Sequence, residues 1–500
     1  MDTAIVWFRR DLRLTDNPAL TAAVAAARHV LPVYIHSPEE DGAGAPGAAS
    51  RWWLHYSLAA LSATLRDRGS PLVIHRGPAA AALRSLVAET GATGVFWNRT
   101  YEPAGIARDT DLKTALRELG VEVQSFNGSL LFEPWEVLTG SGGPYRVYTP
   151  FWRQCQTRLG TVATPLAAPA RLVAPPKPVS GVPLGELSLL PTRPWGEGLA
   201  AAFTPGEAAG QAKLVRFAAG PIDEYKTARD LPAETGTARL SPHLHFGEVS
   251  PRQALAAALG AGQDPARRAG GAVSHETFIK ELVWREFSYH VLYHYPHTVQ
   301  DPLDPRFRDM PWTDDGAALR AWQRGLTGVP LVDAGMRELY ATGWMHNRVR
   351  MVVASFLCKN LGQHWRSGAA WFHDTLVDAD LAANTFGWQW SAGCGADAAP
   401  YYRIFSPILQ AERFDPTRTY IRRWVPELAR LPDSLVHRPF EAPAAELAAA
   451  GLRLGRDYPA PVVDLKASRA AALAGYATMR GEPGLNPPPA APRTVRRAGK

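Results

Sequence analysis

The sequence predicts an α/β domain followed by an all-α domain, on three observations. In the first third, β-branched and aromatic runs alternate with amphipathic Ala- and Leu-rich stretches, the pattern of parallel strands covered by helices on both faces. From Thr204 onward the apolar spacing is helical nearly throughout. Between the two, residues 161–205 hold nine prolines and little periodicity, which marks a long extended connection.

Taken in order, strands are predicted near Ala4–Phe8, Val30–Ile35, Leu72–His75, Gly94–Asn98 and Val121–Phe126. Helices fall between them: Trp52, His55, Leu58 and Leu65 recur at helical spacing over Arg51–Arg68, and Ala107–Leu119 ends at Gly120 as a C-cap. The first strand runs into WFRRDLRLTDNPAL, which has no glycine, so the GxGxxG turn of a dinucleotide domain is missing. No GxxxxGK(S/T), HExxH or GxSxG occurs either, which removes the P-loop, zincin and serine-hydrolase readings. Later helices are predicted over Gly206–Ala219, Pro251–Leu259, Ser274–Tyr293, Ala317–Arg324, Val332–Ala341, His346–Leu361 and Ala369–Leu376. The expected plan is an α/β domain over 1–130, an interdomain linker over 131–205, an all-α domain over 206–480 and a basic, disordered tail over 481–500.

The 500 residues are 46% apolar and 20% charged, which excludes wholesale disorder and a fibrous repeat. Apolar stretches fall short of the roughly 20 residues that a spanning helix needs, and the start has no signal-peptide core, so a cytosolic protein is expected. Three cysteines without a CxxC pair argue against a disulfide framework or a structural zinc site. Residues 401–500 carry 16 Lys and Arg against 9 Asp and Glu, which accounts for the net charge of +7; this suits a polyanion such as nucleic acid, and equally a solvated face. Eight of the 16 tryptophans fall between 281 and 400.

Three constellations could carry chemistry. Asp378-Ala379-Asp380 and Asn384 put two carboxylates and an amide between an apolar helix and the pair Trp388/Trp390, with Arg350 as a candidate partner; a structural ion pair with a capping Asp and a glycosidase-like carboxylate pair are the alternatives. Glu281, Trp284 and Arg285 share one helical face, either a base-stacking platform or core plus a surface pair. Thr237-Ala238-Arg239-Leu240-Ser241-Pro242 suits phosphate binding or an ordinary N-cap.

The segments VWFRRDLRLTDNPAL, SGGPYRVYTPFW, TARLSPHLHFGEVSPRQ, ELVWREF, TGWMHNRVRM, DADLAANTFGWQW and APYYRIFSP occur in that order. With them the chain resembles the photolyase/cryptochrome family of blue-light flavoproteins from the first strand to about Pro461, most closely the bacterial class I-type enzymes. The resemblance implies FAD in the helical domain, held at its phosphates and ribityl chain by Tyr225, Thr237, Ala238, Arg239, Leu240 and Ser241. Many members have Ser or Thr where this chain has Ala238. The resemblance also implies that Arg350 pairs with Asp378 beside the flavin, with Ala379 adjoining, Asp380 at the isoalloxazine edge and Asn384 facing the redox nitrogen. Trp388, Trp365 and Trp312 match the family's electron relay.

Glu281, Trp284, Asn347, Met351 and Trp390 match the pocket for cyclobutane pyrimidine dimers, while the paired histidines of six-four enzymes are absent; Arg229, Arg285, His346 and Gln410 would contact the DNA strand. The implied activity is light-dependent carbon–carbon lyase repair: photoexcited reduced FAD passes an electron to a flipped-out dimer, which splits and returns it. The partner is DNA containing pyrimidine dimers, with no membrane, and a monomer is expected. A cryptochrome-like photoreceptor is the alternative, but signalling members commonly carry a long C-terminal extension and little follows Gly481 here. A second, antenna chromophore, methenyltetrahydrofolate or a deazaflavin, is also implied for the α/β domain; Arg9, Asp11 and Arg51 stand at plausible positions, and the stretch Asn98–Pro103 does not identify it.

Overall fold

A computed structural model describes residues 1–263, 268–398 and 402–481. Most of the tail expected over 481–500 lies outside the described residues. Five strands, β1 (Thr3–Phe8), β2 (His29–His36), β3 (Val73–Arg76), β4 (Gly94–Asn98) and β5 (Glu122–Phe126), form one parallel sheet in the order β3-β2-β1-β4-β5. Each lies within two residues of its expected place. The continuous apolar run of β1 makes it the central strand, buried at every position, as a parallel sheet covered on both faces requires. Ala4, Val6 and Phe8 face one core with Trp53 and Leu58, and Ile5 and Trp7 face the other with Leu83 and Leu116. The covering helices are α1 (Pro18–Ala26), α2 (Ala48–Asp67), α3 (Ala79–Thr90) and α4 (Pro103–Glu118).

Strand order reverses between β1 and β4, the usual ligand crevice of such sheets. Here the chain's own groups fill it. Arg9 donates to both oxygens of Asp109 at 2.8 Å, and the Asn98 amide donates to Asp11 at 2.6 Å and Asn17 at 2.8 Å. Arg9 and Asp11, expected near an antenna chromophore, are thus engaged within the domain; Arg51 donates to the Pro46 carbonyl.

The segment 131–205, expected as a linker, is built into both cores. Its first part, with α5 (Tyr148–Arg158), sends Phe132, Tyr148, Phe151 and Trp152 against Phe217, Phe278 and Phe287 of the helical domain. Its later part, with α6 (Gly196–Ala202), returns Leu172, Leu187, Leu189, Leu199 and Phe203 to the core under α2. The prolines keep the intervening chain extended, yet Leu172, Leu187, Leu189, Leu199 and Phe203 are all buried.

The helical domain comprises α7 (Glu207–Ala219), α8 (Tyr225–Ala228), α9 (Ser241–His245), α10 (Pro251–Gln263), α11 (Arg268–His294), α12 (Gly316–Gln323), α13 (Pro330–Thr342), α14 (Asn347–Ser355), α15 (Trp365–Thr375), α16 (Leu381–Ala392), α17 (Pro407–Phe414) and further short helices to Met479. The helix expected over His346–Leu361 is α14 followed by a π-helical turn, Phe356–Asn360. Helix α16 is not among the expected elements. Its apolar residues Ala382, Phe386, Trp388 and Trp390 surround the axis and leave no single stripe for periodicity to find.

Candidate active site

Helix α16 organises the site. Asp380 is its N-cap: Oδ1 accepts the Ala383 N–H at 2.9 Å, Oδ2 accepts the Tyr289 hydroxyl, and His245 Nδ1 stands 3.5 Å away. Burial alone would raise this carboxyl, but His245, Arg285 and Tyr289 outweigh burial and hold it well below the usual carboxylate range. Asp378 accepts from one Arg350 nitrogen at 2.8 and 3.1 Å, and Arg350 Nε also donates to the Met345 carbonyl. One turn into α16, the Asn384 amide donates to the Ala369 carbonyl at 2.9 Å. A carbonyl only accepts, so the NH2 must face it, and Asn384 presents its oxygen on the other side.

The Thr237–Ser241 segment passes below. Arg239 adopts a left-handed backbone, φ 47°, and lays its guanidinium 4.4 Å over Trp344. A long side chain is strained there, and such strain persists where neighbours enforce it. Nearby, His346 accepts the Arg348 N–H through Nδ1, so Nε2 carries its proton; that N–H and Arg348 Nε are buried with no partner among the described residues. Buried donors are normally paired. Donors left over in this region, together with the Asn384 oxygen, fit a ligand as rich in acceptors and ring N–H groups as FAD.

On the outer side, Trp284 stacks face to face on Tyr148, with ring centroids 3.5 Å apart and planes 8° apart, and its edge meets Phe386 of α16. Trp390 is half-buried and donates its indole N–H to the Asp397 carbonyl at 3.1 Å. Glu281 is ion-paired with Arg229. Asn347, exposed, and Met351 lie one turn apart on α14. On the inner side, Trp388 is 2% exposed, with Phe372 at 5.0 Å, Trp322 at 6.0 Å and Gly368 of α15 directly beneath. Gly368 is needed there, because a methyl would overlap the indole. Trp365, on the same helix, meets His364 at 5.6 Å, and His364 meets the partly buried Trp312 at 5.1 Å. From Trp365, aromatic rings therefore run through His364 to the partly buried Trp312.

Family models for DNA photolyase and for the FAD binding domain of DNA photolyase match residues 4–170 and 278–478. The deoxyribodipyrimidine photo-lyase of Agrobacterium fabrum is 49% identical over 477 residues, 95% of this chain and 98% of that one. The chain belongs to the photolyase/cryptochrome family. Cryptochrome-1 of Arabidopsis thaliana is 41% identical, covering 93% of this chain and 69% of its own. The crystal structure of a bacterial class III photolyase from Agrobacterium tumefaciens superposes with a TM-score of 0.92 at 48% identity, covering 96% of this chain and 98% of its own. That relative is class III, where the motifs alone point to class I. Like the family, this chain has the FAD-binding helical domain, and no described helix is long and apolar enough to cross a membrane.

Two of the four residues expected at the DNA strand are turned elsewhere. His346 is 2% exposed, caps α14 from beneath and is pushed down to about 4 by burial, so it is a neutral interior group. Arg285 donates to the Ser129 carbonyl at 2.7 Å and covers the Tyr289 ring, facing the α/β domain. His346 spends its polar edge on the first turn of its own helix, and Arg285 spends its guanidinium on a carbonyl of the segment after β5. Arg229 and Gln410 remain half-buried. Tyr225 is buried against Phe217 and Phe278, Leu240 is buried and Ser241 exposed, Thr237 and Ala238 are half-buried, and Ala379 is buried between the two aspartates. Tyr148, Phe386 and Asp397 are site residues that sequence reasoning missed. Tyr148 lay in a quoted motif as an aromatic with no chemistry assigned, and Asp397 acts through a contact 249 residues away along the chain.

Proposed function

We propose that this chain repairs cyclobutane pyrimidine dimers in DNA under blue light. The observation that supports it is the outer wall, where Trp284 and Trp390 stand as neighbouring aromatic platforms beside the Glu281–Arg229 pair, across α16 from the groups suited to flavin. Bound FAD supplies, in its reduced form, the light absorption and the electron that opens the dimer and is afterwards recovered.

The residues do the rest. Stacking on Trp284 and Trp390 offsets the cost of unpairing and flipping the two bases, which is smallest for a damaged pair. Asn347 can donate to a base carbonyl. Glu281, held by Arg229, offers carboxyl oxygens that can accept from a pyrimidine ring N–H. Arg229 can also reach a backbone phosphate and contribute salt-dependent affinity without reading sequence. With its NH2 on the Ala369 carbonyl, Asn384 would offer its oxygen to a ring N–H of bound reduced flavin, and the Arg350–Asp378 pair keeps a buried charge balanced. Trp388, Trp365 and Trp312 feed electrons inward to restore the reduced state.

The test is blue-light repair, in reductant, of an oligonucleotide carrying one cyclobutane thymine dimer, with a six-four substrate and a dark sample alongside. Light-dependent restoration of the dimer alone supports the proposal. No repair of either lesion by flavin-loaded, reduced protein overturns it in favour of a photoreceptor, the activity implied by the cryptochrome relative.

A further inference from the structure

Asp397 follows α16 in a left-handed backbone conformation, φ 53°, that residues other than glycine seldom adopt. Three of its polar groups are engaged, each with a different part of the outer wall. Oδ1 accepts the Tyr148 N–H at 2.9 Å, its own N–H donates to the Arg146 carbonyl at 2.9 Å, and its carbonyl accepts the Trp390 indole N–H at 3.1 Å. Tyr148 is the first residue of α5, and Val147 before it offers no side-chain cap. The helix therefore receives its N-terminal acceptor from a residue 249 positions later, which satisfies a backbone N–H that the helix itself leaves without a partner. Tyr148 is fixed at its other end too, its hydroxyl donating to the Lys280 carbonyl at 2.7 Å, and its ring is the face on which Trp284 lies.

One residue thus touches both stacking platforms, Trp390 directly and Trp284 through Tyr148. We infer that Asp397 is a positioning residue that sets the two indoles as a unit and thereby fixes the gap offered to a flipped base pair. The inference rests on the dimer reading above. The part assigned to Asp397 is to turn the chain once and bind both supports at that turn. The side chain suits this position because Asp tolerates the left-handed region better than most residues and carries a short acceptor. A residue serving only as a helix cap would influence the stability of α5 but not discrimination between damaged and intact DNA.

The test uses the full, FAD-loaded chain with Asp397→Ala, Asp397→Asn and Asp397→Gly. In the dark, affinity is measured for a dimer-containing oligonucleotide and its undamaged counterpart; flavin content and photoreduction rate are recorded for each protein. Asp397→Ala should lose about tenfold of the preference for dimer DNA, a cap-sized effect, with flavin content and photoreduction unchanged. Asp397→Asn, which keeps the acceptor and tolerates the turn, should stay within about threefold of the parent. Asp397→Gly keeps the turn and the Trp390 bond but drops the cap, and should fall between them. The inference is overturned if Asp397→Ala and Asp397→Gly keep the parent's preference, or if Asp397→Asn is as impaired as Asp397→Ala. A parent that neither prefers nor repairs dimer DNA overturns the dimer reading and this inference with it, a result distinct from a parent that prefers dimers and variants that do so equally.

Discussion

Trp388 and Trp390 stand two residues apart on one helix and live in different worlds. A separation of two turns side chains to opposite faces of a helix, so Trp388 is enclosed by Phe372, Trp322 and Gly368, whereas Trp390 reaches the outer wall and is tied to a loop carbonyl. On the proposed reading the same side chain serves two tasks, as an indole insulated from water for passing electrons and as a half-buried indole for stacking. A helix that is apolar all round is what makes both available within four ångströms of rise.

Changing each member in turn should separate the tasks. The largest effect is expected for Trp388→Phe, which should remove most photoreduction of oxidised flavin while leaving dimer affinity and repair by already reduced protein intact; photoreduction at the parent rate would break the comparison. Next comes the dryness of the core behind Trp284 on the outer side. Glu286 of α11 is 4% exposed, and burial raises its carboxyl to about 7 against the pull of Arg285 and the Phe132 and Leu131 N–H groups. A folded value above the unfolded one means that its favourable contribution is complete below the unfolded value, about 4.5, and is lost as pH rises through about 7. The shift corresponds to roughly 3 kcal/mol at full ionisation. Thermal denaturation of Glu286→Gln from pH 5 to 8 should show a flatter profile than the parent; parallel profiles would mean that the interior is wetter than its burial implies.

Trp390→Ala should cost about 1–3 kcal/mol of dimer affinity from lost stacking, read by titration in the dark, with photoreduction at the parent rate. Equal dimer affinity would remove Trp390 from the outer wall. The smallest effect is expected for Trp390→Phe, which keeps a ring to stack and loses the bond to Asp397, worth about 0.5–1.5 kcal/mol. A loss as large as that of Trp390→Ala would show that position matters more than stacking area.

Where burial is continuous along a short run, as in β1, local sequence suffices to find the element, and all five strands fall within two residues of their expected places. The flavin-side and dimer-side residues are legible as types in order along the chain, and the resemblance assigns their roles. What local sequence does not carry is direction and distance. Helix α16 escapes periodicity because both of its faces are apolar, Arg285 takes a carbonyl partner 156 residues away, His346 turns inward to cap its own helix, and Asp397 caps a helix that begins 249 residues earlier. Each of these depends on what the tertiary fold brings alongside.

The route of residues 131–205 has a consequence for synthesis on the ribosome. Phe151 and Trp152 are made early, but their packing partners Phe278 and Phe287 lie more than a hundred residues later, a delay of about 6–25 s at ordinary elongation rates of roughly 5–20 residues per second. Meanwhile the sheet must wait for Leu187, Leu189 and Leu199, and then for Phe246, Trp344 and Val377, to complete its own core. Neither body is a contiguous stretch of chain, so the nascent protein carries uncovered apolar surface on both α5 and the sheet until the later partners of each have been made.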